Sequence, residues 1–467
     1  MVRGRWWYNP AHVCRRWRNI ILGSASYLGV SLVCTNGTPV ADMLAHSPPL
    51  PLVIDYRLDE DDNITVEDEE GAVLALNQYD RVRRVRFLMP VTSLQKLIVE
   101  YLIITNLDKE EILTIPETLQ APRLSHLALF GLTLPIGFRL LMTAVGLVTL
   151  HLFLIHPSTY IHPNTLLQWL SSMPQLEALF FGFFFAIPNR DLERQLARTP
   201  IMTAVALPNL RRFVFRGVGT YLDAIVHRIT APRLEKLQVD IFNQLTFSVP
   251  RLLQFVNTTE SLRFKSAKFE FTGRDVNLKV YPHEEAKTYA LAIAVICCHL
   301  DWQVSSAARI SNLLSPTFSA VEHLTLGYSV HSQSSEEHNE AHTTDWHKLL
   351  RSFRNVKTLR IAEGLVKELS LCLQSDDREL LLELLPELQE LTYSGSGNTR
   401  DTFTSFIDAR QDAGRSLTLI RRSPSPDPSS SVSSIEPTSI TQARGGTSTH
   451  ESGIHIRTNE LLIHRLD

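Results

Sequence analysis

The sequence predicts an α/β solenoid: an irregular, curved parallel sheet with helices on its convex side and a short helical segment at its head. Three observations predict it. Apolar residues recur at positions 0, +3 and +5 in ten units along the chain. Proline stands two residues before the first apolar position in five of those units. Helical patterns, apolar at i, i+3, i+4 and i+7, fill the stretches between units.

The ten units are Val82/Val85/Phe87, Leu94/Leu97/Val99, Leu124/Leu127/Leu129, Leu147/Leu150/Leu152, Leu176/Leu179/Phe181, Leu210/Phe213/Phe215, Leu234/Leu237/Val239, Val321/Leu324/Leu326, Val356/Leu359/Ile361 and Leu388/Leu391/Tyr393. Most gaps between them run from 23 to 35 residues, within or just above the span of leucine-rich repeats, which the pattern resembles. The prolines, Pro122, Pro174, Pro208, Pro232 and Pro386, hold the chain extended and stop the preceding helix, so each strand starts cleanly. Leu127, Leu150, Leu179, Phe213 and Leu237 should centre adjacent parallel strands in chain order.

Helices are predicted at Leu166/Trp169/Leu170/Met173, at Leu222/Ile225/Val226/Ile229, and at Trp346/Leu349/Leu350/Phe353, with Asp345 as N-cap of the last. Neither a strand nor a helix here can bury its apolar face except against neighbouring units, which is the logic of a solenoid. Upstream, Leu28 to Val33 reads as a strand, Val40 to His46 as a helix and Leu50 to Ile54 as a strand. Where regular leucine-rich repeats carry Asn or Cys past the strand, this chain has Leu132, Ile155, Phe184, Val218 and Phe242. Between about 240 and 305 the repeat is lost. Alternating runs at Phe269-x-Phe271 and Leu278-x-Val280, with turns at Gly273 and Asp275, predict an insertion of strands there.

The head carries the most specific stretch. Val13, Trp17, Ile20 and Ile21 are spaced i, i+4, i+7, i+8, one apolar stripe of a helix. Val13-Cys14-Arg15-Arg16-Trp17-Arg18, the apolar pair Ile20-Ile21, then Ser24 and Leu28 resemble the second half of an F-box. The family's first helix, opened by a Leu-Pro pair, has no counterpart in Met1 to Pro10, so residues 1–28 are expected to be a truncated F-box. Leu32-Val33-Cys34-Thr35-Asn36, His299-Leu300-Asp301-Trp302 and Val321-Glu322-His323-Leu324-Thr325-Leu326 resemble F-box proteins numerous in mushroom-forming fungi. So does Leu385-Pro386-Glu387-Leu388-Gln389-Glu390-Leu391. The resemblance implies residues 29–421 as a degenerate leucine-rich-repeat solenoid. It also implies a substrate receptor of an SCF-type cullin–RING ubiquitin ligase, its adaptor held by Val13, Cys14, Trp17, Ile20 and Ile21. Lacking the first helix, the segment is expected to hold that adaptor weakly or not at all.

Composition narrows the function classes. Of 467 residues 44% are apolar, enough for an extended core, and the net charge of −3 gives no nucleic-acid footprint. Five scattered cysteines without a C-x-x-C point to a reduced, intracellular setting. No signal-peptide core or membrane-spanning run is present, so a soluble protein of cytoplasm or nucleus is expected. From Arg422 the chain turns to Ser, Pro, Thr and Gly, and 422–467 is predicted to be a disordered tail. Its Ser423-Pro424 and Ser425-Pro426 pairs suit proline-directed kinases, or stay unmodified. The acidic run Asp59 to Glu70 reads as a solvated loop.

No phosphate loop, dinucleotide fingerprint, nucleophile elbow or H-E-x-x-H occurs, so no catalytic residue, cofactor or enzymatic activity is assigned. His331, His338, His342 and His347 lie among Glu336, Glu337 and Glu340, but the stretch is polar and lacks cysteine, so no metal site is assigned. Cys297-Cys298-His299 ends an apolar run and reads as buried, inert thiols.

The expected partners are proteins, docked on the concave sheet. Outward residues at +2, +4 and +6 are Arg84 and Arg86, Lys96 and Glu100, His126 and Phe130, His151 and Phe153, Phe180, Arg212 and Arg216, and Lys236 and Asp240. Aromatics flanked by arginine suit a binding hot spot, which nominates Arg86, Phe130, Phe153, Arg212 and Arg216. Phe130 and Phe153 either face the partner or bend into the core, while Phe180 is assigned to the core. The alternatives to a ligase receptor are a repeat scaffold without adaptor binding, or an enzyme whose site no motif shows.

Overall fold

The computed structural model describes residues 8–422 except 25–27, 29, 57–64, 88–98, 106–114, 116, 118, 136–137, 156–159, 184–202, 243–249, 260–261, 263, 330–342, 375–377 and 395–402. Leu94, Leu97, Lys96, Phe184, His331, His338, His342 and the tail lie outside the described residues, which all belong to one unit, Met1–Ser423.

Strand and helix alternate along the chain. The strands are β1 (Leu32–Cys34), β2 (Leu52–Tyr56), β3 (Val82–Phe87), β4 (Tyr101–Thr105), β5 (His126–Phe130), β6 (Thr149–Ile155), β7 (Ala178–Phe183), β8 (Val205–Ala206) and β9 (Arg212–Gly217). They continue as β10 (Ile229–Thr230), β11 (Lys236–Ile241), β12 (Ser266–Thr272), β13 (Asp275–Tyr281), β14 (Leu291–Ile296), β15 (His323–Ser329), β16 (Thr358–Ile361), β17 (Glu390–Ser394) and β18 (Thr418–Arg422). Sixteen of them form one sheet, and β8 and β10 pair separately. The α/β solenoid predicted from periodicity is the architecture found.

Register explains why the repeat pattern is what it is. Leu127, Leu150, Leu179, Phe213 and Leu237 face one another across β5, β6, β7, β9 and β11, all parallel. Leu129, Leu152, Phe181, Phe215 and Val239 form the next row. Both rows are buried in the helix-side core, and the position-0 residues Leu124, Leu147, Leu176, Leu210 and Leu234 join them. The ladder begins before each strand: Glu177 N and Ala178 N both donate to Val148 O, and Arg211 N and Arg212 N both donate to Glu177 O. In these units the main-chain N–H groups entering the sheet are thereby met by the previous unit.

One unit sits elsewhere than predicted. The strand after β3 centres on Leu102 and Ile104, with Val99 as its position-0 residue, each fully or nearly fully buried. Leu102 pairs with Val85 and Leu127, so Val99 opens the repeat rather than closing it. Asp345 is likewise not a cap: it lies inside the helix Thr343–Arg351 and pairs with Lys348 at 2.8 Å.

The acidic run also ends differently. Its second half, from Glu67, forms the first turn of the helix Val66–Leu76. Thr65 caps it: Asp68 N donates to Thr65 Oγ1, and Thr65 N donates to Asp68 Oδ2, a capping box. Asp68 is 3% exposed and its other oxygen accepts Gly37 N at 2.7 Å, tying the turn after β1 to the helix. The helix seats closely because Gly71 has no side chain: a Cβ there would meet Val40 Cγ2 at 3.0 Å and Tyr56 Oη at 3.3 Å.

Between β11 and β15 the spatial order becomes β11-β14-β13-β12-β15. A hairpin, β12 antiparallel to β13 and β13 antiparallel to β14, joins two parallel blocks. Gln303, on the helix Leu300–Leu313, donates to Thr272 O and Cys297 O at 2.8 Å each, pinning the far ends of that insert. Cys297 is buried there, its thiol pushed up to about 12 by burial and by the nearby Asp275 carboxylate. In the last units, the buried Arg410 guanidinium donates to Leu385, Pro386 and Leu388 carbonyls, holding a corner where Leu385 is left-handed (φ 47°).

Burial pushes the Asp68 carboxyl up, but hydrogen bonds from Thr65 and Gly37 outweigh it, so its folded pKa lies below the ordinary carboxylate range. A depressed folded pKa means stability that is full above the unfolded value and lost as pH falls through the folded one. Asp68→Asn should cost about 1–2 kcal/mol at neutral pH. Urea unfolding should show that difference shrinking below about pH 4; a difference constant into strong acid would contradict the assignment.

Candidate functional site

The face of the sheet opposite the helix-side core is built by the alternate residues of each strand. Register sorts them into rows. The first row crosses Arg84, Tyr101, His126, Thr149, Ala178, Arg212 and Lys236. The second crosses Arg86, Ile103, Ala128, His151, Phe180, Val214 and Gln238. A third carries Phe130 beside Phe153, then Gly182, Arg216 and Asp240.

The first row is the accessible one: Arg84 is exposed and Tyr101, His126, Thr149, Arg212 and Lys236 are half-buried. The guanidinium of Arg84 stands 4.8 Å over the Tyr101 ring, which packs on His126 at 5.6 Å. Arg212 stands 4.5 Å over Phe180, and Lys236 Nζ 3.9 Å over Tyr289, whose hydroxyl donates to Gln238 Oε1 at 2.6 Å. Cations are thus held against aromatic faces along the row, which fixes long side chains before any partner arrives.

The second and third rows lie beside it, further along the strands, and are mostly buried. His151 packs tilted against Phe180 with ring centres 3.8 Å apart, and Phe130 meets His151 edge-on at 6.4 Å. Burial, with the cationic Arg212 alongside, pushes the His151 pKa down to about 3, so the ring stays neutral. Phe153 lies against Gly182, where a Cβ would come within 2.7 Å of the phenyl ring and 3.0 Å of Arg216 Cβ. Arg216 reaches over Phe242 at 5.3 Å and faces Asp240. Desolvation raises the half-buried Asp240 carboxyl, with Arg216 and Gln238 opposing that rise.

All five nominated residues fall on this face, but four are withdrawn from solvent. Phe130 is 5%, Phe153 3%, and Arg86 and Arg216 each 8% exposed; only Arg212 belongs to the accessible row. Phe130 and Phe153 are buried, as the core alternative has it, but on the open side of the sheet and outside the helix-side core cluster. Phe180 likewise belongs to this face and not to the helix-side core, as its neighbours His151 and Arg212 show. Tyr101 and Tyr289, which complete the accessible row, were missed because each lies at the edge of its pattern.

At the head, the helix Arg15–Gly23 is separate from Tyr8–Val13. Cys14 breaks them: its backbone is extended (φ −158°) and its sulfur accepts Trp17 N at 3.5 Å as an N-cap. The single stripe from Val13 to Ile21 is therefore interrupted. Val13 (71%), Trp17 (53%) and Ile20 (52%) stand exposed, while Ile21 (3%) is packed into the core. Cys14 is exposed.

Among the described residues no group of His, Cys, Asp and Glu could hold a metal ion, and His347 Nε2 is engaged by Cys372 O at 2.8 Å. No described helix is long and apolar enough to cross a membrane. No protein-family model matches the chain, and no curated protein matches it. It is similar to a solved structure, the leucine-rich repeat-containing protein LegL7 from Legionella pneumophila. The two share 12% identity over 83% of this chain and 98% of that one, with a TM-score of 0.26, too low to carry an assignment.

Because Phe153 is packed in the buried rows beside the accessible one, Phe153→Ala should destabilise the fold by about 3–5 kcal/mol. Gly182→Ala should cost about 1–3 kcal/mol by overpacking, and Arg84→Ala, at the exposed end, within about 0.5 kcal/mol. Thermal unfolding checks the order; an unchanged melting temperature for Phe153→Ala would contradict it.

Proposed function

We propose that this chain is a protein-recognition module whose partner docks on the first row of the open face, from Arg84 to Lys236. The supporting observation is that cation–aromatic row, half-exposed and pre-ordered beside buried rows. Tyrosine and arginine held rigid on a broad sheet lose little entropy on binding, as hot-spot residues should. Arg212 is retained from the residues the sequence nominates. Phe130, Phe153, Arg86 and Arg216 serve as the buried neighbours that hold the row in place.

Within that class, we propose a substrate receptor of an SCF-type cullin–RING ligase. Support comes from the F-box-like residues of the head and from Val13, Trp17 and Ile20 standing exposed on its two short helices. A second reading, a repeat scaffold without adaptor binding, is favoured by Ile21, which is turned into the core and gives an adaptor nothing to hold.

Co-purification with the ligase adaptor and with a captured protein partner separates the two, using two double variants. Trp17→Asp/Ile20→Asp should lose the adaptor and keep the partner; Arg84→Ala/Tyr101→Ala should do the reverse. Both should keep the wild-type melting temperature, since the changed side chains are exposed or half-buried. Adaptor affinity is expected to be weaker than about 1 μM. No adaptor binding at any concentration would leave the scaffold reading, and partner capture untouched by the second variant would overturn the open-face site.

A further inference from the structure

The far half of the same face carries a second site of different chemistry. Over β12, β15 and β16, two short rows lie side by side: Ser266, His323 and Thr358, and next to them Lys268, Thr325 and Arg360. Tyr281 at the end of β13, with Glu284 and Lys287 of the loop that follows, completes an open pocket of about 250 Å³ over them.

The pocket already holds an anion of its own chain. Glu284 Oε1 accepts from Arg360 Nη2 at 2.7 Å, and its Oε2 lies 3.6 Å from His323 Nδ1. His323 Nδ1 is in turn 2.8 Å from Thr358 Oγ1. That carboxylate meets only part of what surrounds it. Arg360 Nε is buried and has no hydrogen-bond partner. No carboxylate lies within ion-pair distance of Lys287 among the described residues. Lys268 shares Glu270 with Lys279, at 2.6 and 2.8 Å.

Charge then defines the ligand. Lys268, Lys287 and Arg360 line the pocket against one carboxylate, Glu284, an excess of two positive charges before His323 is counted, while Glu270 outside the lining is shared by Lys268 and Lys279. Arg360, Lys287 and the hydroxyls of Ser266 and Thr325 line the pocket as donors; the two oxygens of a carboxylate, with about four lone-pair sites, could accept from all of them, so charge is what favours a phosphate. A phosphate monoester brings three such oxygens and a charge of about −1.5 to −2. Arginine also binds phosphate through two nitrogens at once, where Glu284 engages one.

Building on the open face as a protein-docking surface, we infer that this pocket takes the phosphate of a phosphorylated serine or threonine in the partner. The incoming phosphate displaces Glu284, and the loop from Pro282 to Lys287 acts as the competing occupant. A partner laid across the sheet would then meet aromatic and cationic contacts at one end and a phosphate lock at the other.

The test needs no partner protein, so it can fail while the docking reading stands. The probe is N-acetyl-O-phosphoserine N-methylamide added to the full chain, with ³¹P line broadening as the readout. Inorganic phosphate and N-acetylglutamate N-methylamide, the latter followed by proton saturation transfer, are the comparison ligands. The ester should broaden with wild type and bind more tightly to Glu284→Gln, which removes the competitor. Arg360→Gln/Lys287→Gln should weaken it by about tenfold or more. Circular dichroism on each variant confirms that the fold is kept. Absence of binding to both wild type and Glu284→Gln, or full binding to the double variant, would overturn the site. Inorganic phosphate binding as tightly as the ester would replace it with a free-anion site. The glutamate analogue matching the ester would replace it with a carboxylate site.

Discussion

The leucine rows on the helix side hold everything else in place. Leu127, Leu150, Leu179, Phe213 and Leu237 are buried only because each stands against the same position of the unit before and after it. A lone strand with a lone helix would leave half its apolar surface wet, so stability is shared among neighbours. Parallel pairing keeps that register, since a slip of one residue would turn every leucine to the open face and every open-face cation inward. The main-chain bonds made ahead of each strand, such as Glu177 N and Ala178 N to Val148 O, extend the lock into the entry turn.

Much of this was legible in the residues, for a physical reason: a period set by the helix-side core must appear as apolar spacing. The helix Val40–His46 and the alternation of strand and helix follow from local pattern alone. Where pattern misled, two frames were available. Leu94/Leu97/Val99 and Val99/Leu102/Ile104 share Val99, and only pairing with Val85 and Leu127 decides between them. At the head, a stripe from Val13 to Ile21 presumes an unbroken helix, which a cysteine N-cap interrupts.

The candidate site was less legible. Alternation tells which side a residue takes, but not how deep it lies, and on an open sheet face depth is set by cross-strand neighbours. Phe153 is buried because the next strand offers Gly182, and Phe180 because Arg212 covers it from β9. Those partners are some 30 residues away in sequence. The same holds for the polar pocket, whose Lys268, His323 and Arg360 meet only because a hairpin brings β12 beside β15.

That hairpin is also where the account is most exposed. One continuous face, with the cation–aromatic row and the polar pocket on it, requires β11 to pair with β14 and not with β12. Thiol cross-linking tests this directly. In a background with the exposed Cys14 and Cys298 replaced by serine, Gln238→Cys/Ala292→Cys should be bridged rapidly by dibromobimane, since these residues are direct partners. Gln238→Cys/Lys268→Cys should not be, because β12 lies three strands away, about 14 Å. Bridging of the second pair and not the first would mean that the strands follow chain order, and the continuous face described above would not exist.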